Sequence, residues 1–164
     1  MFRSVRPART VAAASVMAGA LLLAACSPTI TTKPYAPSDG VRVNLTDHVR
    51  GINLMVVTEG EGEPGSVLGA LANDSSESVS FVLTAEGAEP LSVEVPAGGT
   101  VYLNADQEDS AQVAQPQIAS VASHPGGDLE ATLSGAGVEE DFFLPIMDGT
   151  LPEYQAYLPS ATAS

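Results

Sequence analysis

Apolar residues recur at every second position between Val41 and Met147, in short runs separated by glycine, proline and small polar residues. The clearest runs are 79–83 and 91–95, in which Val, Phe or Leu alternates mainly with Ser or Glu. A period of two places one face of a strand in a core and the other in solvent. About eight such segments follow at intervals near ten residues, without a helical period or a βαβ alternation. The sequence therefore predicts an all-β fold, an immunoglobulin-like antiparallel β-sandwich of about 7–8 strands.

One segment departs from this alternation. Ile52–Val57 is apolar at successive positions and is interrupted only by Asn53. A continuous apolar run is typical of a strand that is buried on both faces. We therefore expect this strand to be buried on both faces.

The amino terminus has the features of an export signal. Three arginines precede the apolar run Val11–Leu23, which is shorter than the roughly 20 residues that a transmembrane helix needs. Leu23, Ala24 and Ala25 come directly before Cys26, the only cysteine. These four residues resemble a bacterial lipobox. The resemblance implies that Cys26 receives diacylglycerol and acyl chains such as palmitate, and that it becomes the first residue of the mature protein.

These features predict four regions. Residues 1–25 are a lipoprotein signal peptide, and 26–39 are the lipidated cysteine with a stalk rich in Pro, Ser and Thr. Residues 40–150 form the β-sandwich domain, and 151–164 are a C-terminal tail. The expected location is the extracytoplasmic face of the cell membrane, with attachment through the lipid anchor.

The charge balance excludes some partners. The chain has 20 acidic residues and 6 basic ones, and no lysine or arginine follows Arg50. Binding to nucleic acid needs a basic surface, so it is excluded. Electrostatic adhesion to anionic lipid head groups is disfavoured for the same reason.

The sequence does not favour catalysis. Its two histidines are His48 and His124, and no Gly-x-Ser-x-Gly motif is present. Ser123 adjoins His124, but neighbouring residues of a strand point to opposite faces. We therefore predict a protein that is not an enzyme and has no cofactor.

The sequence contains residue types that could bind copper or calcium. Met thioethers and histidines suit Cu(I), and the candidates are His48, Met55, His124 and Met147. The domain is similar in size and strand pattern to the PCuAC copper chaperones but lacks their His-x-Met ligands. Calcium could use the acidic clusters Glu59/Glu61/Glu63 and Asp106/Glu108/Asp109, which lack the calcium-loop pattern. No metal site is predicted, and a carrier of copper, calcium or a small ligand remains the alternative function.

Two stretches of the mature chain carry a family resemblance. They read VRVNLTDHVRGINLMVVTEGEGEPGSVLGALANDSSESVSF and, near the end, LPIMDGTLPEY. Both are similar to small actinobacterial lipoproteins of the LpqE type. The residues that match the closing motif are Pro145, Met147, Asp148, Gly149, Leu151 and Tyr154. The resemblance implies a cell-envelope lipoprotein with a non-enzymatic role.

The sequence thus predicts a lipid-anchored interaction or assembly module of the cell envelope. Its expected partners are the membrane, through the anchor, and an envelope protein. Tyr154, Tyr157 and Leu158 stand close together near the C-terminus. We predict that they form a small exposed apolar patch for the partner.

Overall fold

The structure, a computed structural model, describes residues 39–104 and 113–159, which belong to a unit spanning Ala36–Ser164. Strands account for most of these residues. They are β1 Val41–Asn44, β2 Val49–Thr58, β3 Gly65–Asn73, β4 Val79–Ala85, β5 Leu91–Val95, β6 Gly99–Leu103, β7 Val113–Ala114, β8 Gln117–Ile118, β9 Asp128–Gly135 and β10 Val138–Met147. One short helix, α1, follows at Pro152–Gln155.

The strands form two layers joined through β10. Their order is β5-β4-β9-β10-β2-β3-β6-β7, with β1 added to β2 and β8 added to β3. We call β5, β4, β9 and β10 the β9 layer, and β1, β2, β3, β6, β7 and β8 the β3 layer. The last residues of β10 pair with β2 and connect the two layers.

The central core lies between the layers. In β4 the buried Val79, Phe81 and Leu83 alternate with outward positions. The same alternation in β5 and β9 places their apolar residues in one cluster with those of the β3 layer. Burying a large apolar side chain stabilises the folded state by about 1.5–3 kcal/mol, so this cluster is the main source of stability.

Strand β2 is covered on both faces, as its apolar run predicts. Leu54 and Val56 point into the central core, whereas Met55 and Val57 point to the opposite side. Met55 and Val57 pack with Leu68 and Tyr154 in a second buried group, which we call the outer cluster.

The all-β, sandwich-like fold predicted from the sequence is confirmed. Eight of the strands in the described residues have four residues or more, and β7 and β8 have two each. Most pairings are antiparallel. Two short ones are parallel, β10 with β2 and β6 with β7. The first arises because the end of β10 passes from one layer to the other.

The segment after β10 folds back onto the domain. Helix α1 begins with Pro152 at its first turn, where the missing N–H is tolerated. Tyr154 is buried against the outer face of the β3 layer, and Tyr157 and Leu158 pack beside it. The expected C-terminal tail is therefore part of the packed domain as far as Leu158.

Candidate binding groove

The outer face of the β3 layer is apolar where most exposed sheet faces are polar. Ile52 of β2 stands opposite Ala70 of β3, which in turn stands opposite Tyr102 of β6. The small Ala70 between two larger side chains leaves a depression across three strands. Tyr102 forms one wall and is 42% exposed.

A bulge in β2 shapes the floor of this depression. The pairing of β2 with β3 shifts between Ile52 and Met55, and Asn53 has a φ of 52°. Asparagine adopts this left-handed conformation more readily than most residues. Gly69 faces the bulge with a φ of 125°. A Cβ atom there would lie 2.7 Å from the carbonyl oxygens of Ile52 and Asn53, so the close approach requires glycine.

The C-terminal segment closes one side. Tyr154 packs on Met55 and Leu68, and Tyr157 lies next to it. The Tyr154 hydroxyl donates a hydrogen bond to the carboxylate of Asp39, the first described residue. Burial, and secondly this bond, raise the pKa of Tyr154 to about 12.

These parts enclose a groove of about 310 Å³, which we call the tyrosine groove. Tyr102, Tyr154 and Tyr157, the tyrosines of the described residues, all line it. No lining residue in the described part of the chain carries a formal charge. The lining residues are Ile52, Asn53, Met55, Leu68, Gly69, Ala70, Tyr102, Leu103, Asn104, Tyr154 and Tyr157.

Asparagine side chains of the lining are engaged within the protein. The Asn104 amide donates to the carbonyl oxygens of Val67 and Pro116 at 2.9 and 2.8 Å. The side-chain Oδ1 of Asn53 accepts from the backbone N–H of Gly40 at 2.8 Å. These bonds fix the rim, so the groove presents mainly hydrocarbon and tyrosine rings to a ligand.

The predicted patch needs one correction. Tyr154 is only 8% exposed, because its ring completes the outer cluster, so it is not a free surface residue. Tyr157 and Leu158 are half-buried beside it. Of the three, Tyr154 and Tyr157 line the groove, whereas Leu158 packs over Gly149. The lipobox residues Leu23, Ala24 and Ala25 and the lipidation site Cys26 lie outside the described residues.

The sequence-based candidates include three of the eleven lining residues: Tyr154, Tyr157 and, as a possible copper ligand, Met55. The other eight, among them Ile52, Asn53, Gly69 and Tyr102, were missed. Two of them carried a signal. Asn53 interrupts an apolar run, which is typical of a bulge, and Tyr102 occupies an outward position of an alternating strand. Their convergence depends on strand pairings across long sequence distances.

The candidate metal ligands of the described residues lie in different environments. His48 and His124 are exposed, whereas Met55 and Met147 pack in or against the outer cluster. Glu59, Glu61 and Glu63 are exposed, and Asp106, Glu108 and Asp109 fall outside the described residues. Within 39–104 and 113–159, no group of three or more His, Cys, Asp and Glu residues could hold a metal ion.

The closing motif forms a turn after β10. The backbone N–H of Thr150 donates to the Asp148 carboxylate at 2.9 Å. This hydrogen bond lowers the pKa of Asp148. Gly149 allows the contact with Leu158, since a Cβ atom would lie 2.5 Å from the Leu158 side chain.

A second cavity, of about 590 Å³, lies on the outer face of the β9 layer. Its lining includes the carboxylates Glu86, Glu130 and Asp141 and the ring of Phe143, which is 65% exposed. This face therefore combines negative charge with one exposed ring, in contrast to the uncharged tyrosine groove.

No protein-family model matches the sequence, and a comparison with curated proteins finds no match. The likeness to LpqE-type lipoproteins remains a prediction from the sequence. In the part of the chain that the structure describes, no helix is long and apolar enough to cross a membrane.

Proposed function

We propose that this protein is a lipid-anchored, non-enzymatic interaction module on the extracytoplasmic face of the cell membrane. The observation that supports this function is the tyrosine groove. It offers an apolar surface with two accessible rings, Tyr102 and Tyr157, on a chain of net charge −14. Tyrosine contributes strongly to binding because it buries a large ring at a low entropy cost and keeps a polar hydroxyl.

The chemistry of the groove suits binding better than catalysis. A general acid or base would need a titratable group beside the bound ligand. Among the lining residues only tyrosines are titratable, and the pKa of Tyr154 is about 12. Tyr154 therefore holds its proton at neutral pH and serves as a wall and a hydrogen-bond donor.

A small-ligand carrier is the second candidate, and the volume of the groove favours it. Small-molecule sites occupy roughly 300–1,000 Å³ and are mainly apolar with few polar groups. The tyrosine groove, at about 310 Å³, lies at the lower end of this range. Both candidates place the binding event in the same groove.

Photo-cross-linking in native membranes tests the proposed function. The full-length lipoprotein would carry p-benzoylphenylalanine at Tyr102, and a matched control would carry it at Phe143, an exposed ring on the other layer. We expect specific adducts from position 102, few from position 143, and fewer from position 102 when Cys26→Ala removes the anchor. Equal adducts at both positions, or none at position 102, would contradict the proposal.

A further inference from the structure

The first described residues lie at the rim of the tyrosine groove. Asp39 accepts the hydrogen bond of Tyr154, and the next residue, Gly40, donates to Asn53. Tyr154 and Asn53 both line the groove. The stalk therefore joins the domain directly beside the groove.

The length of the stalk limits how far the groove can be from the bilayer. Residues 27–38 separate Cys26 from Asp39. A fully extended chain spans at most about 3.6 Å per residue, so this stretch reaches at most about 45 Å. With Cys26 lipidated, as proposed above, the rim of the groove stays within about one bilayer thickness of the membrane.

The lining matches a hydrocarbon chain. Ala70 and Gly69 form a low floor between the taller Ile52 and Tyr102, and Met55 continues the apolar surface towards Tyr154. Methionine adapts to ligands of irregular shape. Tyrosine rings are favoured where hydrocarbon meets water, because the ring is apolar and the hydroxyl is polar.

Charge at the rim limits the head group. Asp39 and Glu153 flank Tyr154, and both are exposed. Carboxylates beside the groove repel an anionic head group, particularly at low ionic strength. A zwitterionic or neutral head group meets no such repulsion.

We infer that the tyrosine groove holds a hydrocarbon chain of a membrane lipid with a zwitterionic or neutral head group. This inference rests on the proposed function, since it identifies what the same groove binds. The interaction module would then contact the bilayer twice, through its anchor and through this groove. Docking of a protein segment in the groove is the competing outcome that the experiment must separate.

The test uses the full-length lipoprotein in phosphatidylcholine vesicles that contain a phosphatidylcholine with a photoactivatable acyl chain. After irradiation, mass spectrometry locates the labelled peptides. We expect labels on groove residues of β2, β3 and β6. Labelling should fall about tenfold in Tyr102→Glu, because a charge in the groove disfavours hydrocarbon. Phe143→Ser should leave labelling of the groove unchanged. Phosphatidylglycerol vesicles with the matching photoactivatable phosphatidylglycerol should give less labelling of the groove than the phosphatidylcholine vesicles.

A second variant guards against a folding defect in Tyr102→Glu. Ala70→Leu fills the groove with uncharged atoms and should also reduce labelling. Labels spread equally over the groove and the Phe143 face, or absent from the groove, would overturn the lipid inference. If position 102 then still captures a protein in native membranes and position 143 does not, the proposed function stands without the lipid. Failure of both experiments would overturn both.

Discussion

Tyr154 joins three parts of the molecule through one side chain. Its ring completes the outer cluster, its hydroxyl donates a hydrogen bond to Asp39 at the end of the predicted stalk, and the residue lines the groove. Tyr154→Phe keeps the ring and removes only the bond. We expect a loss of about 1 kcal/mol in unfolding free energy, below the usual range for a bond to a charged group because water screens the exposed Asp39. Urea denaturation of the two proteins measures this, and equal stability would show that the bond contributes nothing.

The same hydroxyl makes stability depend on alkaline pH. The folded-state pKa of Tyr154, about 12, lies above the ordinary value of 10.0. The contribution of the protonated Tyr154 to the unfolding free energy is fully present below pH 10. It is lost as pH rises from 10 towards 12, because Tyr154 loses its proton in the unfolded state before it does so in the folded state. Urea denaturation between these pH values should show a smaller decline in Tyr154→Phe than in the wild type. Parallel declines would contradict this assignment.

The sequence allowed some residues to be placed and not others. The turn after β3 is of the kind that a sequence can indicate, because Asn and Ser side chains bond to nearby backbone in turns. Here the N–H of Ser75 donates to the Asn73 side chain at 3.0 Å. The burial of Tyr154 was not predictable. It depends on which segment covers Met55 and Val57, and that segment lies about a hundred residues further along the chain.

At the scale of elements, the bulge of β2 decides the shape of the groove floor. Gly69→Ala would press a methyl group against the carbonyl oxygens of Ile52 and Asn53, 2.7 Å away, at a φ of 125°. We expect a loss of at least about 2 kcal/mol in unfolding free energy. The matched control is Gly98→Ala, also at positive φ but with nothing within 4 Å, which should lose only about 1 kcal/mol. Equal losses in urea denaturation would show that the close approach at Gly69 is unimportant.

Helix α1 acts as a cover over the outer cluster. Within the described residues, the backbone hydrogen bonds of Tyr154 and Tyr157 go to their own segment. The cover is therefore held by side-chain packing and by the Tyr154 hydroxyl bond to Asp39. A chain that ends at Thr150 should stay folded around its central core but expose Met55, Val57 and Leu68. We expect a loss of about 3 kcal/mol in unfolding free energy and stronger binding of the dye ANS. Unchanged dye binding would show that these side chains are not covered by this segment.

Element types were easier to predict than their assembly. Strands β4, β5 and β9 alternate cleanly, because one face meets the core and the other meets water. The apolar run in β2 indicated burial on both faces without showing what lies on either side. The groove itself combines β2, β3, β6 and α1, and no local pattern reports such a convergence.

At the scale of the whole molecule, negative charge dominates. After Arg50 the chain has no lysine or arginine, and Arg50 itself pairs with Asp74 at 2.6 Å. Mutual repulsion of the remaining carboxylates destabilises the folded state at low ionic strength. Raising NaCl from about 0.02 to about 0.2 M should therefore increase the unfolding free energy by screening this repulsion. A decrease would indicate that favourable ion pairs dominate instead.

We predict that the tyrosine groove is occupied when the protein is tethered to its membrane. Hydroxyl-radical footprinting tests this by comparing Tyr102 with Phe143, two exposed rings on different layers. The wild-type lipoprotein in native membranes would be compared with the same lipoprotein extracted in detergent and exchanged into a membrane-mimicking polymer without native lipid or protein. We predict protection of Tyr102 in native membranes and equal labelling of Phe143 in both samples. Equal labelling of Tyr102 in both samples would contradict the account.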